Sequence, residues 1–359
     1  MSLISTIIRP EILAQSSYHV PDAHNMVKLD AMENPYPLPD AIKAEFGAHL
    51  AHVALNRYPV PTYRLLKDKI CREFGIPAGF DVMLGNGSDE LISMLSIACA
   101  KPGAKVVAPI PTFVMYAISA QLAGMEFVGV PLSEDLGLDM SAMLAAIQEH
   151  RPALLYLANP NNPTGSWFDE ADLLQLINAM SDIGLVVIDE AYQPFAPSSM
   201  MPRLPEFAHV IVMRTVSKIG LAGLRLGYMS AAPELLAEVE KVRPPYNINV
   251  LTAAAAEFLL DHMSIFDEQA HKLCVEREAL IKELQSIKNV HAFPSKANFV
   301  LIKIENSEQI FKKLLARRIL IKNVGKMHPL LTNCLRVTVS TPEENRLFID
   351  ALKATLLEA

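Results

Sequence analysis

Thr215-Val216-Ser217-Lys218-Ile219-Gly220-Leu221-Ala222-Gly223-Leu224-Arg225-Leu226-Gly227-Tyr228 is the stretch around which the rest of the chain is read. It follows the apolar run 210–213 and passes into Leu226-Gly227-Tyr228-Met229, so it reads as strand, glycine-rich turn, strand. Lys218 leaves a strand of buried type and faces a turn that lets backbone come close. A lysine so placed suits Schiff-base chemistry, in which an unprotonated amine attacks a carbonyl. Ser217 and Arg225 add a hydroxyl and a guanidinium, a fitting pair for a phosphate. Taken alone, the same residues also fit a solvated lysine on a βα loop.

Working outward, short β-branched runs alternate with helical patterns. Candidate strands fall at 82–84, 105–108, 126–130, 154–157, 185–188, 210–213 and 225–229. Seven such runs predict a doubly wound α/β domain with a mostly parallel seven-stranded sheet, whose ligands sit beyond the strands' carboxyl ends. Helices are expected at 40–51 and 63–74. After Pro244-Pro245 the pattern changes: one long helix over 252–287, strands near 290–293, 298–304, 319–322 and 335–339, a helix at 307–316, and a last helix from Pro342. That predicts three segments: an N-terminal arm or small-domain segment (1–30), a large domain (31–247) and a smaller α+β domain (248–359).

The candidate chemistry lies at the predicted strand ends. Gly85-Asn86-Gly87-Ser88-Asp89-Glu90-Leu91 opens a helix, where the amides of Ser88 and Asp89 can hold an anion; a plain capped turn fits equally well. Asn159-Pro160-Asn161-Asn162-Pro163-Thr164-Gly165 offers amides aimed by stiff prolines. Val187-Ile188-Asp189-Glu190-Ala191-Tyr192 sets a carboxylate at the end of a hydrophobic strand, where it needs a partner such as a protonated ring nitrogen, or else caps a helix. Phe113 can stack on a planar ligand or serve as core. Arg336, alternating with Leu335 and Val337, reads as an anion clamp or an exposed charge.

Composition narrows the partners. The 359 residues are 51% hydrophobic, enough for a large core, and the net charge of −7 with no basic tract argues against nucleic acid. Cys71, Cys99, Cys274 and Cys334 are isolated, so neither a metal site nor a disulfide framework is suggested, and reduced thiols of a cytoplasmic protein are expected. No apolar run is long enough for a membrane span and no signal peptide is evident.

Together and in this order, these motifs resemble the fold-type I pyridoxal-phosphate aminotransferases over about residues 28–352. Within that superfamily Glu33-Asn34-Pro35, Asn56-Arg57-Tyr58-Pro59, Gly87-Ser88-Asp89-Glu90, Lys241-Val242-Arg243-Pro244-Pro245-Tyr246-Asn247 and Leu335-Arg336-Val337-Thr338-Val339 are most similar to the histidinol-phosphate aminotransferases. The resemblance implies pyridoxal 5'-phosphate as cofactor and amino transfer between L-histidinol phosphate and 2-oxoglutarate, with glutamate as a product. Lys218 would bind the cofactor and shuttle the proton, and Asp189 would pair with its ring nitrogen. Asn162 and Tyr192 would hold the ring oxygen, and Phe113 would stack on the ring. Ser88, Asp89, Ser217 and Arg225, helped by Thr215, would hold its phosphate.

The same resemblance implies a homodimer, with Tyr58 reaching the phosphate of the partner subunit's site. Arg336 would take the substrate carboxylate and phosphate in turn, with Lys322, and Tyr18, Asn34 and Tyr246 would line the substrate side. A cis Asn162–Pro163 bond is also implied. Two departures are visible. Many relatives have one more residue between the lysine and the phosphate arginine, and Lys322 stands where an arginine is frequent. Alternatives within the superfamily are an aromatic amino-acid aminotransferase or a threonine-phosphate decarboxylase. A silent regulatory module is the non-enzymatic one.

Overall fold

The computed structural model describes residues 3–15 and 22–358. Thirteen strands are present among them. They are β1 (Val27–Lys28), β2 (Asp81–Asn86), β3 (Lys105–Ile110), β4 (Glu126–Pro131), β5 (Leu154–Ala158), β6 (Leu185–Asp189), β7 (Val210–Thr215), β8 (Leu226–Ala231), β9 (Val290–Ala292), β10 (Phe299–Ile304), β11 (Ile319–Leu320), β12 (Lys322–Asn323) and β13 (Cys334–Thr338). The large sheet runs β2-β8-β7-β6-β5-β3-β4, and only β8 is antiparallel to its neighbours. β5 and β7 are buried at every position, the pattern of central strands covered on both faces. The seven-stranded α/β sheet is thus the one the strand spacing predicts.

Apolar residues on opposite faces of the sheet enter two separate clusters. Leu155, Leu157, Val186, Ile188, Val210 and Val212 join one; Leu154, Tyr156, Val187, Ile211 and Met213 join the other. That alternation is the period of two seen from inside. A third cluster is built on β9, β10 and β13 and the last helix, Pro342–Leu357, and it takes in Leu29 and Met32 from the N-terminal segment. β1 pairs in parallel with β11, which ties that segment to the smaller sheet side.

Three local expectations need correction. The helix expected over 252–287 is two helices, Val250–Leu260 and Met263–Gln285, separated at Asp261-His262. The first packs on helices Asp40–Ala51 and Arg64–Glu73, and Ile248, Ala256, Leu259, Leu260 and Phe266 sit in the large-sheet core. Core contacts therefore run past the 247/248 boundary. The strand expected at 319–322 divides, with β11 pairing β1 and β12 pairing β13. Arg225, expected to begin a strand, instead takes a left-handed conformation (φ 51°, ψ 44°) just before β8.

No helix among the described residues is long and apolar enough to cross a membrane.

Candidate active site

The carboxyl ends of β5, β6 and β7 and the start of helix Ser88–Cys99 surround a cavity of about 420 Å³. Ser88, Asp89, Phe113, Asn162, Asp189, Tyr192, Thr215, Ser217, Lys218 and Arg225 all line it. Residues separated by more than a hundred positions thus meet because parallel strands deliver their ends to one edge of the sheet.

Lys218 lies in a wide turn after β7. Leu221 N donates to Val216 O at 3.2 Å, and Gly220 at φ 129° lets the backbone close the short connection to Arg225. Lys218 Nζ donates to Ala31 O at 3.2 Å and stands 5.8 Å from the Tyr192 ring centre. Burial, joined by the nearby Arg336 charge, lowers its amine to about 8, which favours the nucleophilic form.

Asp189 ends β6 and is 4% exposed. Its Oδ2 accepts from Tyr116 Oη at 2.6 Å and its Oδ1 from Ala191 N at 3.0 Å, so it caps no helix. Burial raises the carboxyl to about 6 against the pull of those two bonds. Its neighbour Glu190 is treated differently: it accepts from buried Arg214 at 2.9 Å, from Ser199 Oγ and from Met200 N.

Glycines shape another part of the cavity wall into a cradle. Gly87 (φ 77°, ψ 169°) precedes Ser88, the first residue of the helix, and a Cβ on Gly87 would come within 2.7 Å of Arg225 Nη2. A Cβ on Gly227 would meet Ser88 N at 2.6 Å. Arg225 Nη2 also stands 3.5 Å from Asp89 Oδ2, and Thr215 Oγ1 and Ser217 Oγ are 2.9 Å apart. A guanidinium, two hydroxyls and free-ended helix amides converge there, a donor set for a phosphate dianion. Phosphate seat, amine and buried carboxylate in one cavity fit pyridoxal 5'-phosphate.

Among the asparagines of the 159–165 loop, only Asn162 lines the cavity. Asn159 is bound to Phe168 N and O, and Asn161 to Thr112, Thr164 and Pro111 O, so both hold the loop itself. The Asn162–Pro163 bond is cis, as are Asn159–Pro160 and Ile110–Pro111.

The residues expected on the substrate side are more dispersed. Arg336 is 7% exposed and outside the cavity wall; it donates to Asn162 Oδ1 at 2.5 Å and to Asp30 O at 2.8 Å. Lys322 is its cross-strand neighbour in the β12–β13 pair and is half-buried. Asn34 does not line the cavity either. Its amide nitrogen is spent on Ile219 O (2.8 Å) and Gln269 Oε1 (2.9 Å), bracing the turn that carries Lys218. Tyr58 is 80% exposed and stacks on Tyr246 at 4.7 Å, both away from their own chain's cavity. Tyr18 lies outside the described residues.

Sequence reading missed Tyr116, Glu33 and the Ala31 carbonyl, all in the cavity wall. Tyr116 had a signal: it follows Phe113 by three residues in the turn that enters helix Met115–Leu122, where Tyr116 N donates to Phe113 O at 3.3 Å and the two rings meet edge-on.

A family model for aminotransferases of class I and II matches residues 24–352. The chain belongs to that family. It is 59% identical to histidinol-phosphate aminotransferase 1 of Ralstonia nicotianae over 99% of this chain and 96% of that one. Histidinol-phosphate aminotransferase 2 of Cupriavidus pinatubonensis is 58% identical, covering 99% and 98%. Among solved structures, the histidinol-phosphate aminotransferase of Sinorhizobium meliloti in complex with pyridoxal-5'-phosphate superposes with a TM-score of 0.87 at 25% identity, over 98% of each chain. That from Clostridium acetobutylicum gives 0.84 at 25% identity, over 92% and 99%. Family membership makes the chain a pyridoxal-phosphate-dependent aminotransferase, in accord with the cavity.

Proposed function

We propose that this chain transfers the amino group between L-histidinol phosphate and 2-oxoglutarate, giving imidazole acetol phosphate and L-glutamate in histidine biosynthesis. The observation that carries the reading is the cavity itself: a lysine amine lowered to about 8, an Asp with neutral donors only, and a glycine-opened anion cradle. The near-full-length likeness to histidinol-phosphate aminotransferases supports the substrate assignment.

Ser88 and Asp89 amides, Thr215, Ser217 and Arg225 would hold the cofactor phosphate, and Phe113 would cover one face of its ring. Asp189 would pair with the ring nitrogen, and Asn162 and Tyr192 with the ring oxygen. When bound, the cofactor supplies a conjugated ring that accepts the electron pair left on a deprotonated carbon. Lys218 Nζ takes that proton from the amino-bearing carbon of the donor substrate and returns it within the same walled cavity. The Ala31 carbonyl and the Asn34–Ile219 bond limit where the amine can go. Arg336, fixed by Asn162 and Asp30, would receive the anionic end of either substrate, and Lys322 beside it would add a point charge for the phosphate. Tyr246 and Tyr18 belong to the same proposed substrate side.

A cytoplasmic homodimer completes the proposal. Tyr58 points to solvent on its own chain, and a second subunit would bring it to the partner's phosphate seat. Tyr58→Phe should then weaken cofactor retention by about 1–2 kcal/mol, one hydrogen bond to a charged group. An active monomer removes this role.

The deciding experiment compares kcat/KM for L-histidinol phosphate against phenylalanine and tyrosine, each with 2-oxoglutarate. Histidinol phosphate should be preferred strongly. Equal or better turnover of the aromatic amino acids overturns the substrate assignment while leaving the aminotransferase in place.

A further inference from the structure

Two carboxylates stand side by side at the end of β6, and the chain gives them opposite partners. Glu190 faces a buried arginine, so its charge is neutralised within the protein. Asp189, equally buried, receives only neutral donors: the Tyr116 hydroxyl and the Ala191 amide. A phenol satisfies a carboxylate oxygen without cancelling its charge, so the charge of the Asp189 anion is left for whatever enters the cavity.

Tyr116 is also held in place. It is fully buried on helix Met115–Leu122, stacked on Tyr156 at 4.4 Å and 10°, and edge-on to Phe113 at 5.7 Å and 86°. Its ring cannot swing, so its hydroxyl stays aimed at Asp189 Oδ2. We propose that Tyr116 is a positioning residue that holds Asp189 oriented and ionised for the ring nitrogen of the cofactor. This rests on the cofactor reading above and adds a residue to it.

The groups acting on Asp189 come from several elements. Tyr116 comes from its helix, Tyr156 from β5 behind it, Asp89 from helix Ser88–Cys99, and Glu190 and Tyr192 from its own strand end; Lys218 and Arg225 line the same cavity. Pairing with a protonated ring nitrogen favours the Asp189 anion, so cofactor affinity is full above the pKa of the unliganded carboxyl for as long as the ring nitrogen keeps its proton. Below it, affinity falls about tenfold per pH unit, because the carboxyl must first lose its proton. Removing the Tyr116 hydroxyl withdraws one hydrogen bond from the anion, which raises that pKa and moves the bend upward.

The test measures pyridoxal 5'-phosphate affinity of the apo-protein against pH for wild type, Tyr116→Phe and Tyr156→Phe, with a 15N-labelled ring nitrogen as second readout. Tyr116→Phe keeps the stacked ring, and its bend should move up by about 1–2 pH units, the scale of one hydrogen bond to a charge. Its nitrogen signal should shift toward the unprotonated value. Tyr156→Phe, a comparable loss of one hydroxyl that leaves the bond to Asp189 in place, should leave both readouts unmoved. An unmoved bend in Tyr116→Phe, or an equal shift in Tyr156→Phe, overturns the proposal. Should Tyr116→Phe fail to fold, wild-type protein decides: a protected, downfield hydroxyl proton should titrate with Asp189 and vanish in Asp189→Asn, and its absence overturns the proposal. A wild type that takes up no cofactor removes the cofactor reading and this proposal with it; uptake with an unmoved bend removes the proposal alone.

Discussion

Gly87→Ala separates two costs that one residue imposes. Gly87 sits at φ 77° and ψ 169°, a region essentially reserved for glycine, and forcing alanine into it costs about 1–3 kcal/mol. With roughly 2.1 cal/mol/K of unfolding entropy per residue over 359 residues, that loss lowers Tm by only about 1–4 °C. The second cost falls on binding. The new Cβ would lie 2.7 Å from Arg225 Nη2, the far end of a flexible side chain that is half-exposed, so the guanidinium moves aside rather than storing strain. Moving it withdraws a charge-assisted donor from the phosphate seat, worth about 1.5–3 kcal/mol, or roughly 10- to 150-fold in cofactor Kd.

The assay is a cofactor titration of the apo-protein beside a thermal melt. Gly103→Ala is the control, because Gly103 has φ 79° with no atom within 4 Å of the added carbon. It should lower Tm comparably and leave cofactor affinity alone. Wild-type affinity in Gly87→Ala would refute the reasoning that Arg225 and the 87–89 backbone form the phosphate seat.

Asp189→Asn should fold and bind cofactor yet lose at least ~10²-fold in the proton-transfer step, about 3 kcal/mol of barrier; near-normal turnover would make Asp189 structural. Lys218→Ala should keep part of its cofactor affinity through the phosphate donors and lose turnover, and borohydride reduction of wild type should fix label on the Lys218 peptide and no other. With its amine lowered to about 8, Lys218 should react with pyridoxal phosphate faster as pH rises, levelling off above about 8. The sign for stability follows: the buried ammonium is penalised below about 8, and apo-protein stability should recover as pH climbs from there toward 10.5. A pH-independent rate of uptake would contradict the amine's placement. Arg336→Ala should raise KM for histidinol phosphate and 2-oxoglutarate alike, and Lys322→Ala mainly for the phosphorylated substrate. A sharp split between substrates in Arg336→Ala would end the shared-clamp reading.

The large sheet was legible because its strands are short β-branched runs, bounded by glycine and proline, at spacings only βα units produce. The ring of cavity residues was legible for a related reason. In a parallel sheet the chemistry collects where strands end: Asp189 closes the apolar run of β6, and Asn162 and Lys218 stand in the loops just past β5 and β7. Local pattern failed where a distant contact decides. The helical pattern over 252–287 reads as one helix, yet the chain ends one helix at Leu260 and begins another at Met263, the first packed on Asp40–Ala51 and Arg64–Glu73.

The partners of polar groups lie further still from sequence. Asn34 is expected on the substrate side, yet its amide is consumed 185 residues away at Ile219 O. Asn159 and Asn161 look identical to Asn162 in composition, and only the folded loop turns one of the three into the cavity. The contrast between Asp189 and Glu190 is likewise tertiary. Sequence places two carboxylates together at a strand end, but which one meets Arg214 and which meets a phenol depends on the opposite faces to which neighbouring strand residues point. Periodicity and turn chemistry are properties of neighbours along the chain, so sequence alone determines them; hydrogen-bond partners and desolvation depend on what folding brings across space, so only the tertiary structure decides them.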